Sequence, residues 1–535
     1  MKIRKFARAG FVAGSAIVMA GILPHAGAAS DIPVNPVQFE NSCSAAVQTD
    51  FSHAVALLHS FEYPESPRIF KKIIAKDPDC AMAYWGVAMN LWHPLWAPPS
   101  KENLQKGAKL LSQTDALAKT PREAAYIDAL KAFYSSTDTT TNNRRERAYE
   151  EHMRKLYENN LDDPEATLFY ALSILSTADA RDKSYSHQYK AAALLNWTRA
   201  SHPTHPGVLH YLIHAYDFPG LAHLALGSAK TYAAAAPDSA HAQHMPSHIF
   251  TRLGLWELSL SSNHDSTKSA ANYTEDARLP GYYDQGIHAM DYLMYAMLQT
   301  ARDDEARALL DRSNNIEKAH HEMFAVAFTY AALPARFALE RRQWDEASKL
   351  TLGHAEFPWQ NFKWAPSAHF FARGLGAARS GKTDQARQEI AALKDIQASL
   401  PDTTIPYLRD QVQVQIDAIK SWILLSEGKT KKALKLARIT AEREDGVDKH
   451  PVTPGEVLPA RELYADMLLE TGENTKALEQ YRVVLKNSPN RLNALIGAAQ
   501  AAAEVGDVEL SQSYEQIIRT QTASGNRPTI KFGDT

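Results

Sequence analysis

Positive charge, cysteine, alternating strand patterns and long apolar runs are all scarce in this chain of 535 residues. Each scarcity excludes something. The 58 Lys and Arg are outnumbered by 61 Asp and Glu, giving a formal net charge of −3. The basic residues are scattered, so no field exists to hold nucleic acid by counterion release. Beyond the first 28 positions no stretch reaches the roughly 18 apolar residues that a membrane span needs, so stable membrane insertion is not expected of the body of the chain. No useful run alternates apolar with polar residues, which argues against a β-rich fold. G-x-S-x-G and H-E-x-x-H are both missing, so neither a nucleophile elbow nor a zincin helix is present.

What is present is enough to fold: 45% of residues are hydrophobic and 22% charged, a globular composition. Single cores stop growing near roughly 250 to 300 residues, so several domains or one extended repeat array is expected.

The first 28 residues read as a cleavable signal peptide. Lys2, Arg4, Lys5 and Arg8 precede an apolar run from Ala9 to Leu23, and Ala26-Gly27-Ala28 supplies the small residues of a cleavage site. Cleavage before Ala29 removes four positive charges, taking the net charge from −3 to −7. The mature protein is then periplasmic or secreted, and the absence of a cysteine just after the apolar run disfavours a lipid anchor. In an oxidising compartment Cys43 and Cys80 can pair, and as the only cysteines they have no other choice; two buried free thiols is the alternative.

After residue 45 nearly every segment carries apolar residues at helical spacing, separated by turns such as Thr471-Gly472-Glu473-Asn474, so the fold class is all-α. A 34-residue helix-pair template fits repeatedly. Residues 458–491 place Ala465 in the first helix, Ala477 and Tyr481 in the second and Pro489 at the end; Gly506 repeats Gly472. Residues 47–80 bring Phe70 and Pro78 into register before Trp85-Gly86, and residues 206–239 supply Ala225, Ala229 and Pro237. On these residues the chain resembles the tetratricopeptide repeat (TPR) family. The resemblance implies an α-solenoid of helix-turn-helix repeats in a curved superhelix, whose first helices line a concave groove open to a peptide or protein partner. The expected organisation is N-terminal repeats over 29–100, a divergent helical segment over 101–200, histidine-rich repeats over 201–330, C-terminal repeats over 331–520 and a tail over 521–535.

One literal motif is discounted. Gly376-Ala377-Ala378-Arg379-Ser380-Gly381-Lys382-Thr383 matches a phosphate-binding loop, but no strand pattern precedes it, and Gly381-Lys382-Thr383 parallels Gly428-Lys429-Thr430 in another inter-helix turn.

The chemistry lies in histidine. Of 21 histidines, eleven fall between His187 and His288. His210 and His214 are four apart and share a helical face, as do His244 and His248, and the two pairs are 34 residues apart, one repeat. The repeat register puts all four on successive first helices, aimed at a common point, with Asp217, His288 and Asp291 at neighbouring lining positions. Adjacent helices pack about 8 to 10 Å apart, so two imidazole pairs can share one ion. Neutral imidazoles with one or two carboxylates suit a divalent transition metal, zinc first, with iron, manganese, nickel or copper as alternatives. Pro246 complicates the scheme, because a proline inside a helix breaks it. Asp217 and Asp291 have a second available role, as acceptors that orient the histidines. His59, Glu62, His93, Glu462, Asp466 and Tyr295 are further candidates for the groove lining. Trp85, Trp92, Trp96 and Trp256 read as packing residues. His202, His205, His223, His241, His264, His320, His321 and His354 carry no assignment.

The strings His205-Pro206-Gly207-Val208-Leu209-His210-Tyr211-Leu212-Ile213-His214-Ala215-Tyr216-Asp217 and His244-Met245-Pro246-Ser247-His248-Ile249 resemble a set of exported bacterial TPR proteins, as do Asp77 to Gly86 and Pro451 to Glu462. That resemblance implies fold and location and carries no reaction. Three functions stand at this stage: a metal-binding scaffold, a peptide or protein interaction module, and a metal-dependent enzyme, hydrolase or oxidoreductase.

Overall fold

A computed structural model describes residues 32–528, apart from 97, 402 and 403. The segment 1–28, read above as a signal peptide, and the last part of the tail lie outside the described residues.

From Gln48 to Gln521 the chain is helix after helix, and the strand-like features among the described residues are a bridge between Tyr282 and Ala319 and a bridge residue at His93. Local sequence sets the boundaries. Thr120 and Glu123 close a capping box on helix Pro121–Phe133, and prolines at 121, 164 and 206 occupy first-turn positions where the missing N–H has no intrahelical partner anyway. Four inter-helix turns in the C-terminal half turn on left-handed glycines, Gly381, Gly428, Gly472 and Gly506, at φ between 74° and 83°. The phosphate-loop look-alike is therefore a turn between helices Ser367–Arg379 and Thr383–Ser399.

Each helix packs on its sequence neighbour, and the first helices of successive pairs also touch one another: Asp284–Gln299, Phe324–Glu340, Ser367–Arg379, Pro406–Ser426, Ala460–Glu470 and Leu492–Glu504 form one continuous stack. The fold is an all-α solenoid of TPR-like helix pairs, as expected for units that cannot bury their apolar faces alone. At the N-terminus Cys43 and Cys80 are disulfide-bonded, with Cα atoms 4.7 Å apart.

The solenoid does not leave an open groove over the histidine-rich repeats. The segment 446–459 turns inward. The Lys449 ammonium reaches the Asp217 carboxylate at 3.0 Å, the Tyr292 hydroxyl donates to the Thr453 carbonyl at 2.9 Å, and the Arg336 guanidinium donates to the carbonyls of Gly455 and Glu456. Further on, the Trp256 indole N–H donates to Asn490 O at 2.9 Å, and Arg491 donates to the Tyr295 hydroxyl at 2.9 Å. Covered from both sides, helix Asp284–Gln299 is buried at every residue despite its Asp, Gln and His side chains. Of the groove-lining positions of the sequence reading, His59, Glu62, Glu462 and Tyr295 are core positions here, and His93 and Asp466 are half-buried.

Candidate metal centre

Four short stretches bring six imidazoles together. His210 and His214 sit on helix Pro206–Tyr216, and His241 and His244 on helix Ala240–His244. His248 follows on helix Pro246–Arg252, and His288 on helix Asp284–Gln299. Pro246 explains the break between the second and third: lacking an N–H, it stands at the first position of its own helix, and Met245 before it keeps a helical backbone. His244 and His248 lie on either side of this break with their Nε2 atoms 3.0 Å apart.

The rings divide into two triads, each able to direct one nitrogen per residue at a common point: His210, His214 and His241, and His244, His248 and His288. This corrects the arrangement in which two in-register pairs share one ion. Each pair instead recruits a third histidine, His241 for the first and His288 for the second. His241 had a sequence signal: with His244 and His248 it completes an i, i+3, i+7 pattern. His241 joins His210 and His214, while His244 and His248 group with His288.

Hydrogen bonds fix the ring orientations. The Nδ1–H of His210 donates to the backbone carbonyl of His59 at 2.7 Å, that of His241 to Gln285 Oε1 at 3.1 Å, that of His244 to Asn263 Oδ1 at 2.7 Å, and that of His248 to Asp217 Oδ2 at 2.9 Å. The amides are themselves oriented, Gln285 by donating to Asp284 and Asn263 by donating to the Ser259 carbonyl, so their oxygens face the rings. With its proton on Nδ1, a neutral imidazole presents a bare lone pair at Nε2. Lone pair therefore faces lone pair between His244 and His248 at 3.0 Å, and between His210 and His241 at 3.2 Å; His214 Nε2 lies 3.1 Å from His210 Nε2. The Nδ1 of His288 is buried with no hydrogen-bond partner, its ring 4.3 Å from that of His244.

Such contacts need a proton or a cation between them, and the surroundings disfavour the proton. Burial lowers the pKa of all six imidazoles, to about 3 for His210 and His288 and well below the ordinary value for His214, His241 and His244. Two donors held 2.0 to 2.1 Å from one ion and 3.0 to 3.2 Å apart subtend about 90 to 105° at the ion, an ordinary coordination angle.

Aromatic rings close the surroundings. Phe61, in a left-handed backbone conformation (φ 54°), sets its ring 4.5 Å from His210, 5.8 Å from His214 and 5.7 Å from His241. Trp96 packs edge-on to His241 at 5.2 Å, and Tyr292 lies 4.7 Å from both His244 and His248. Asp217 is more than an acceptor for His248. Burial acts to raise its pKa and is outweighed by Lys449, Arg252 and His248, which hold it ionised. Arg252 and Lys449 also line an outer pocket of about 310 Å³, which puts solvent one hydrogen-bond chain away from the second triad.

The remaining sequence candidates are placed elsewhere. Asp291 is a partner of Arg336 at 2.8 Å and does not join the triads. Asp217 orients a ring and is not grouped with the ligands, the second role open to it. Glu462 pairs with Arg491 and Arg342, Asp466 accepts from the Tyr481 hydroxyl and pairs with Arg342, and Tyr295 accepts from Arg491, so all three belong to a buried arginine network. Glu62 accepts from Ser239 and Tyr283, and burial pushes its pKa up to about 7. His93 stacks on Tyr63 at 4.0 Å. Of the tryptophans, Trp85, Trp92 and Trp256 are core.

His59 belongs to a third cluster, with Glu165 and His205, both missed in the sequence. Its bonding differs in kind. His59 donates from Nε2 to Glu165 at 2.6 Å and accepts from the Tyr211 hydroxyl at Nδ1; His205 donates from Nε2 to Glu165 at 3.1 Å and accepts from the Gly207 N–H at Nδ1. Every nitrogen has a complementary partner, so no ion is needed. Gly207 permits the close packing, since a Cβ there would come within 2.6 Å of His59 Nδ1.

No family model matches the chain, and no curated protein matches it by sequence. Among solved structures it is similar to a monomeric mutant of IFIT1 with Gppp-AAAA, at TM-score 0.38 and 9% identity over 90% of this chain and 96% of that one. The human IFIT1 dimer with m7Gppp-AAAA gives TM-score 0.35 and 11% identity over 87% and 95%. The P58(IPK) TPR domain gives 0.21 and 11% over 86% and 99%.

Proposed function

We propose that this chain is an exported metalloprotein, a TPR-like scaffold that holds divalent transition metal in its two histidine triads. One observation carries the reading: four buried imidazoles spend their Nδ1 protons on fixed acceptors and turn their Nε2 lone pairs toward one another at 3.0 to 3.2 Å. Metal-binding histidines use this same arrangement, in which an acceptor behind the ring sets the tautomer and raises the basicity of the ligating nitrogen. An all-imidazole donor set suits zinc, copper, nickel or iron and offers no thiolate. The test is elemental analysis of untagged protein purified from the exported fraction. Stoichiometric transition metal is expected, with the share held by the second triad lost on replacing His244 and His248; metal-free protein that also fails to take up zinc or copper in vitro overturns the proposal.

A plain interaction module is the second reading, and Trp197, 78% exposed on helix Ser186–Ser201 with Tyr189 half-exposed, favours it. A partner captured equally with and without chelator, and lost on Trp197→Ala, supports that reading.

A further inference from the structure

The two triads are not separate sites. The shortest ring separations between them, 6.2 Å for His214 to His248 and 6.3 Å for His241 to His244, are no longer than the 6.4 Å between His248 and His288 inside one triad. Six rings therefore form one unbroken cluster, with no side chain needed to separate the halves. The charge within it is one-sided. Neutral imidazoles bring no negative charge, and Asp217, the carboxylate bonded to the cluster, is already shared with Arg252 and Lys449. Two divalent ions placed here would bring four positive charges into a buried volume, and a charge buried without a partner is costly.

Resting on the metal reading above, we propose that the triads form a single dinuclear centre, three imidazoles to each ion, completed by a small oxygen anion of the hydroxide class shared between the two ions. The shared anion answers both observations: it lowers the net charge, and it links two triads whose rings lie as near to one another as rings within one triad. Ion pairs bridged this closely, about 3.5 to 4 Å apart, are a recurrent arrangement in proteins. Copper is the informative probe, because nitrogen donors bind Cu(II) most tightly among the divalent ions of its row and an isolated Cu(II) is paramagnetic.

The experiment uses the untagged full-length mature protein, stripped with chelator and titrated with Cu(II), reading copper per chain by elemental analysis and unpaired spin by electron paramagnetic resonance. The expected result is two coppers per chain, with the spin signal rising to one equivalent and falling as the second ion enters, because ions sharing one oxygen couple their spins. His241→Ala and His288→Ala, each removing one ligand from a different triad, should each bind one copper with its full spin, circular dichroism reporting whether the helices persist. If either variant fails to fold, the rise and fall of the native signal decides alone. One copper per chain in the native protein, or two with undiminished spin, overturns the shared centre while leaving metal binding in place. No copper bound, and no zinc in the parallel titration, overturns both.

Discussion

The Nε2 atoms of His244 and His248 meet at 3.0 Å across the helix break before Pro246, each backed by an acceptor on Nδ1, Asn263 for one and Asp217 for the other. A pair built for packing alone would place a donor opposite an acceptor, as His59 and Glu165 do. This contrast gives the first prediction. In metal-free protein His248→Leu changes stability by less than about 1 kcal/mol, because an apolar group of similar size relieves a lone-pair contact and leaves Asp217 its two cations. With free metal at a thousandfold excess over Kd, the native protein gains about 4 kcal/mol that the variant does not. Urea denaturation with and without zinc reads both numbers.

Asn263 is not itself a proposed ligand, yet its carbonyl holds the His244 ring. Asn263→Leu should weaken metal affinity by about 10- to 100-fold while leaving stoichiometry unchanged at saturating metal. Competition against a chromophoric chelator measures the shift; an unchanged affinity would show that the ring needs no support.

Glu165 provides the opposite case. Glu165→Ala strips the acceptor from two buried imidazoles, His59 and His205, and should cost about 3 to 5 kcal/mol without reducing metal content. Chemical denaturation and elemental analysis of one sample separate the two effects.

The disulfide joins residues 37 apart in sequence. In the chain-entropy picture a loop of this size stabilises by about 4 kcal/mol. Cys43→Ala with Cys80→Ala should lower the denaturation midpoint accordingly, and dithiothreitol should reproduce the loss in the native chain.

The histidines also set a pH dependence. Their folded pKa values lie below the ordinary 6.5, at about 3 for His210 and His288, so below pH 6.5 the unfolded chain binds more protons than the folded one. The stability they contribute is present above pH 6.5 and is lost as pH falls toward 3. Glu62 and Glu146, both raised to about 7, and Asp291, Glu444, Asp445 and Asp466, also raised, act in the opposite sense, losing stability as pH rises, while His59, His93, His369 and His450, lowered as well, add to the six. Glu165 and Asp217, both lowered, reinforce the loss in acid. The thermal midpoint of metal-free protein should fall steadily from pH 7 to pH 4, and metal release should follow the same course. A flat profile contradicts neutral, buried imidazoles.

Helical periodicity, the repeat register and the spacing of His210, His214, His244 and His248 determined the fold class and drew attention to the stretch that carries the clustered histidines, because both depend on residues close in sequence. The 34-residue register even aligned the two pairs. It did not decide how they group. That depended on which neighbouring helix each ring meets: His241 meets His210, and helix Asp284–Gln299 brings in His288 and Gln285 from beyond the repeat. Nor did register distinguish an open groove from a core: Lys449, Thr453 and Gly455 fill the interior from more than 200 residues after His210, and position within a repeat carries no record of what folds back over it. Asp291 was misread for the same reason, since Arg336, its partner, stands in the next pair. Sequence spacing fixes what shares a helical face; only tertiary packing selects which protons, carbonyls and carboxylates stand behind each ring, and those decide whether a histidine is a ligand or a strut.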